Sequence, residues 1–85
     1  MSRYRVEFRP AAARQLRKIE PQSRERLRGA ITLLAEDPRP PASRQLRGRP
    51  GWRVRVGDYR IIYTIDDGLL VVAVIAIGHR REAYG

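Results

Sequence analysis

The chain has no cysteine, a single histidine, a single lysine, and half as many acidic as basic side chains in its 85 residues. Without cysteine there can be no disulfide and no thiolate zinc site, and an intracellular location is permitted. One histidine is too few for a histidine-based zinc centre. A two-metal nuclease needs several converging carboxylates. Here the only adjacent acidic pairs are Glu36-Asp37 and Asp66-Asp67, both at expected helix or turn ends, so no metal and no cofactor is expected. There is no glycine-rich phosphate loop and no nucleophile elbow. The longest apolar run, residues 69–77, is too short to span a bilayer as a helix, and MSRYRVEF carries no apolar signal core. A soluble, cytoplasmic protein is therefore expected, as one domain over residues 1–85 with no repeat or low-complexity tract.

What the chain has in excess is arginine. The formal charge is +9 and the isoelectric point about 11.4, more than solubility requires, which favours a nucleic acid, an acidic protein or an anionic surface as partner. All basic residues but Lys18 are arginines, whose planar fork suits bidentate contacts to phosphate.

The arginines are most ordered in WRVRVGDYR, residues 52–60, where apolar and cationic residues alternate with the period of a half-buried strand. Gly57-Asp58 offers a two-residue hairpin loop with glycine at the first central position. In that register Val56 faces Tyr59, Arg55 faces Arg60 and Val54 faces Ile61. Two guanidiniums about 5 Å apart repel by roughly 1 kcal/mol in water-like dielectric and by about 3 where the effective dielectric is nearer 20. A sequence selected for stability alone would put a carboxylate at one of these positions. Arg53, Arg55 and Arg60 on one open sheet face are what a polyanion needs.

Around this hairpin the chain reads in order. Arg3 to Phe8 alternates as a strand with Tyr4, Val6 and Phe8 inward. Pro10 to Ile19 is a short amphipathic helix, closed by Glu20-Pro21. Pro21 opens a second helix with Leu27, Ala30, Ile31 and Leu34 as its apolar stripe, stopped at Asp37-Pro38. Residues 38–51, with four prolines and four arginines, read as a long surface loop. Beyond the basic hairpin, Asp67-Gly68 signals a two-residue turn, and residues 69–77 a strand buried on both faces. The expected fold is α+β in the order β-α-α-β-β-β. A helical hairpin packs on one face of a curved, mainly antiparallel four-stranded sheet, and the other face, with Arg53, Arg55 and Arg60, stays open.

The order of elements, with QLRG at 45–48, WRVRVGDYRIIY at 52–63 and IGHRREAY at 77–84, resembles the RelE/ParE toxin family of bacterial type II toxin-antitoxin systems over essentially the whole chain. In its RelE branch the resemblance implies a ribosome-dependent, metal-independent mRNA endoribonuclease. It would cut in the ribosomal A site by attack of a 2′-hydroxyl, and an acidic antitoxin would neutralise it. Carried over by position, Arg53 and Arg55 match the basic residues of the strand, Arg60 the arginine of the YR motif, Arg80 the tail arginine and Tyr84 the closing tyrosine. Arg47 of the LRG loop, with Arg53, Arg60 and Arg81, would bind RNA. The strand cations are arginine where familiar relatives have lysine, and an arginine cannot serve as general base. His79, of the one side-chain type that titrates near neutrality, is the candidate for proton transfer. The resemblance also leaves open a ParE-type inhibitor of DNA gyrase on the same scaffold, without nuclease chemistry.

Overall fold

A computed structural model of the chain describes residues 3–79. Its elements are β1 (Arg5–Phe8), α1 (Pro10–Lys18), α2 (Pro21–Glu36), β2 (Ser43–Gln45), β3 (Trp52–Val56), β4 (Tyr59–Asp66) and β5 (Val71–His79). The five strands form one sheet in the order β1-β5-β4-β3-β2; β1 runs parallel to β5, and the other pairs are antiparallel. This is the expected α+β arrangement, with β2 added inside the segment read as a loop.

Each helix begins on a proline, which loses nothing there because the first helical N–H has no intrahelical acceptor. α2 is further capped by the Glu20 carboxylate, which accepts from the N–H groups of Gln22 (3.2 Å) and Ser23 (2.7 Å). Hydrogen bonds from Ser23, side chain and backbone, hold that carboxyl below its usual range. Ala12 and Leu16 of α1 and Leu27, Ile31 and Leu34 of α2 are buried against Val54, Ile61, Tyr63, Val72, Val74 and Ile77 of the sheet. Each fully buried aliphatic side chain contributes about 1.5 to 3 kcal/mol of transfer free energy, so this single layer carries most of the fold's stabilisation.

β1 pairs with β5 only as far as Val74. Past that point the edge of β5 is covered by α1, where Gln15 Oε1 accepts the Ile77 N–H at 2.8 Å. A barely amphipathic-looking glutamine thus seals a backbone donor that would otherwise be orphaned. The β4–β5 register shifts between Ile62 and Tyr63, a bulge that bends the sheet beside the basic hairpin.

Three local expectations are corrected. The turn after β4 spans four residues, Asp67 to Leu70, because Asp66 pairs directly with Val71; the Asp66 carboxylate accepts the Leu69 N–H, and Leu70 takes φ 56°. The last strand accordingly begins at Val71, and Leu69 is exposed. Phe8, expected inward, lies at the end of β1 and is 40% exposed.

Candidate nucleic-acid interface

The β3–β4 hairpin has the register the sequence predicts, with Val56 opposite Tyr59, Arg55 opposite Arg60 and Val54 opposite Ile61. Gly57 at φ 59° provides the left-handed turn position, and Asp58 does not share it. Residues opposite each other in an antiparallel pair point to the same side, so Arg53, Arg55 and Arg60 stand together on the side away from Val54 and Ile61, hence away from the helices. The expectation that all three project into solvent needs correction, because Arg60 is only 7% exposed. Burial on this side is uneven: Arg60 is enclosed, Arg53 and Ile62 are half-buried, and Arg55, opposite Arg60, is exposed.

With β2 a fourth guanidinium joins them. Arg44 pairs with Arg53, and Arg44, Arg53, Arg55 and Arg60 line one open depression of about 480 Å3 together with Ala42 and Val54. Among the described residues none of Arg44, Arg53 and Arg55 forms an ion pair. Like charges set directly opposite across two successive strand pairs raise the free energy of the empty protein and lower that of a polyanion complex. The period-2 signal missed Arg44 because a three-residue strand is too short to show alternation, and the prolines around it read as loop.

The segment leading into β2 is bolted down. The buried Tyr63 hydroxyl donates to the Pro38 carbonyl at 2.7 Å, and the Ser43 N–H and hydroxyl both donate to the Pro40 carbonyl. Burial raises the Tyr63 phenol above its ordinary value. Arg39 forks onto Asp67 at 2.8 and 3.3 Å while its guanidinium lies 5.5 Å over the Trp52 ring, and the Tyr4 hydroxyl donates to Asp67 at 2.7 Å. The hydrogen bonds from Arg39 and then Tyr4 hold the Asp67 carboxyl below its usual range. These contacts tie the proline-rich stretch to β3 and to the β4–β5 turn, which fixes the edge strand carrying Arg44.

Two further candidates, Arg47 and His79, have described positions, and neither lines the depression. Arg47 is exposed on the β2–β3 loop and is not among the residues lining the depression. His79 is opposite Tyr59 at the end of β5, its ring edge-on to the tyrosine at 5.8 Å. Tyr59 in turn pairs with Val56, so the register assigns His79 to the side of the core residues, while Gly78 stands opposite Arg60. The sheet does not bring His79 to the arginines. It lines a second concavity, with Lys18, Arg49 and Tyr59. Arg80, Arg81 and Tyr84 lie outside the described residues.

Comparison with known proteins follows the same lines. The profile of the ParE toxin of type II toxin-antitoxin systems, parDE, matches residues 6–84. The chain belongs to the RelE/ParE toxin family. Within it the chain is similar to the mRNA interferase toxin RelE of Escherichia coli K12, with 32% identity over 94% of this chain and 86% of that protein. A putative RelE-like toxin protein of Escherichia coli is 26% identical over 95% of this chain and 87% of that one. Among solved structures, the intact E. coli RelBE toxin-antitoxin complex aligns with TM-score 0.80 and 32% identity, covering 89% of this chain and 95% of that chain. The RelE–RelB complex of Pyrococcus horikoshii aligns with TM-score 0.83 at 23% identity over 94% and 98%, a likeness of fold.

Proposed function

We propose that this chain is the toxin of a type II toxin-antitoxin pair and an endoribonuclease that cleaves mRNA at the ribosomal A site. The observation that carries the reading is the set of guanidiniums on the sheet side opposite the helices, with the buried Arg60 among them. Its likeness to RelE proteins named mRNA interferases supports the same activity.

The chemistry is transesterification. The ribose 2′-oxygen attacks the adjacent 3′-phosphorus, and the bond to the 5′-oxygen of the next nucleotide breaks. A 2′,3′-cyclic phosphate remains on one product and a 5′-hydroxyl on the other. One proton leaves the 2′-hydroxyl, and one is delivered to the departing 5′-oxygen. The step needs in-line placement and stabilisation of charge that builds on the non-bridging phosphoryl oxygens. Arg53, Arg55 and Arg60 are suited to both, because arginine forks fix a phosphate in orientation and keep their charge throughout. A guanidinium enclosed like Arg60 acts through a lower effective dielectric than an exposed one, and it needs little reorganisation as the charge develops. Since no arginine serves as base, proton transfer falls to another group. His79, assigned to the other side of the sheet, is the less suited choice, which leaves water, ribosomal RNA or Tyr84.

The cognate partner in this reading is an acidic antitoxin, since solved relatives include RelE–RelB complexes and the chain carries +9. A groove of about 650 Å3 between β1 and the two helices, floored by Val6, Leu16 and Ile31 and rimmed by Arg17 and Arg28, suits an amphipathic acidic segment. A ribosomal substrate places the protein in the cytoplasm.

The family profile carries the ParE name, which gives the second reading, a gyrase inhibitor. Expression in a bacterium followed by primer extension separates the two. Cuts within codons of translated messages support the nuclease, whereas intact messages with DNA damage support the gyrase reading.

A further inference from the structure

The edge strand β2 carries a cation that the nuclease reading does not use. Arg44 faces Arg53 across the β2–β3 pair, and therefore stands on the same sheet side as Arg53, Arg55 and Arg60. The charged line runs from β4 through β3 to β2. With strands about 4.8 Å apart, its backbone positions span roughly 10 Å at right angles to the strands.

Arg44 is not free to swing in and share the phosphate held by the others. Its Nη1 donates to the Pro41 and Ser43 carbonyls, both at 2.8 Å, which holds the guanidinium over the outer margin of the sheet. Both local bonds use the same nitrogen of a five-donor fork, and the side chain is exposed. Pro41 and Ser43 belong to the segment bolted to Tyr63. The cation is thus displaced from Arg60 and pre-positioned. Stapling two carbonyls needs a donor but not a positive charge, and a neutral donor would avoid the repulsion from Arg53 directly opposite.

We propose that Arg44 binds the phosphate next to the reacting one on the same RNA strand, so that the bound strand crosses the sheet from β4 towards β2. The proposal rests on RNA being the ligand of the arginine face. It makes Arg44 a binding residue for the flanking backbone. It also gives the bound strand a path across the sheet that Arg53, Arg55 and Arg60 alone do not define.

The test is equilibrium binding of labelled toxin to bacterial ribosomes programmed with an mRNA whose A-site 2′-hydroxyl is O-methylated to block cleavage. Each mRNA carries one neutral methylphosphonate linkage, stepped along the A-site codon and its neighbours. Arg44→Ala is expected to weaken binding to the fully charged mRNA about five- to twentyfold and to lower the slope of log K against log salt by about 0.7, the value for one single-strand phosphate contact. Neutralising the flanking linkage should cost the wild type a similar factor and cost Arg44→Ala nothing further. Arg44→Gln keeps a polar side chain while losing the charge, so it should match the alanine variant in binding and, with the repulsion from Arg53 relieved, melt no lower than the wild type. Wild-type affinity in Arg44→Gln, or a loss that persists at every position of the neutral linkage, overturns the proposal. In the second case Arg44 touches the ribosome or only the loop. Should the wild type bind these complexes yet leave unblocked mRNA intact, the nuclease reading fails while the neutral-linkage pattern still decides the role of Arg44. If it does not bind them at all, both fall.

Discussion

Replacing Arg55 by glutamate should make the protein more stable and nearly inactive. Arg55 is directly opposite Arg60 and two positions along β3 from Arg53, on the same side. At roughly 5 Å the first pair repels by at least about 0.8 kcal/mol, the water-like value, because Arg60 is enclosed, and at about 6.6 Å the second by about 0.6. Changing the sign at position 55 turns both terms favourable and nearly doubles the swing. Salt screening and the cost of ordering an exposed side chain remove about half of it. The expected net gain is about 1 to 1.5 kcal/mol, which for a domain of this size raises the melting temperature by roughly 4 to 10 °C. The gain should shrink as salt is added, and Arg55→Gln should fall between the two. On activity the effect has the opposite sign: losing one preorganised donor to a developing phosphoryl charge costs about 3 to 4 kcal/mol, a factor of hundreds or more in single-turnover cleavage. Thermal melts at low and high salt, paired with cleavage of programmed ribosomes, read both quantities on one sample. A variant that melts at or below the wild-type temperature in low salt would refute the repulsion argument and with it the inference that these arginines are kept at the expense of stability.

Tyr63→Phe removes a buried donor and leaves the Pro38 carbonyl without its 2.7 Å partner, so it should cost about 1 to 3 kcal/mol in denaturant unfolding. Asp67 has its folded pKa depressed by Arg39 and Tyr4, so its contribution is complete above the unfolded value of 3.8 and is lost as pH falls through the lower folded value. Acid titration of stability should therefore be shallower below about pH 4 in Asp67→Asn than in wild type, and equal steepness would deny the clamp. His79→Ala should cleave within about tenfold of wild type; a loss of a hundredfold or more, the size expected for a general acid or base, would return the histidine to the reacting centre. Association with an acidic antitoxin should slow steeply as salt rises, and a salt-independent rate would point to a mainly apolar interface.

The β3–β4 hairpin was legible in the sequence because two independent signals agreed: five residues of strict alternation, and a Gly-Asp loop that leaves one register. The helices were legible for a similar reason, each opening on proline and ending where the apolar stripe stops. β2 escaped because its identity as a strand comes from pairing with β3, which leaves no local pattern in three residues preceded by prolines. The burial of Arg60 was illegible for a related reason. Alternation assigns a side of the sheet but no depth: Ile62 and Thr64 share both strand and side with Arg60 and are only half-buried. The assignment of His79 to the other side likewise follows from the β-bulge at Ile62 and Tyr63, which sets the phase of the end of β5 against Tyr59.

The central claim is that an arginine-lined sheet face promotes attack of a ribose 2′-oxygen on its own phosphate. The most direct measurement uses purified toxin, ribosomes and an mRNA carrying a single 2′-deoxy nucleotide at the mapped A-site cut, with end-group analysis of the products. The account predicts cleavage of the all-ribose message to a 2′,3′-cyclic phosphate and a 5′-hydroxyl, and none at the deoxy position. Equal cleavage of both messages, or an intact all-ribose message under conditions where the same preparation blocks DNA supercoiling by gyrase, would contradict it.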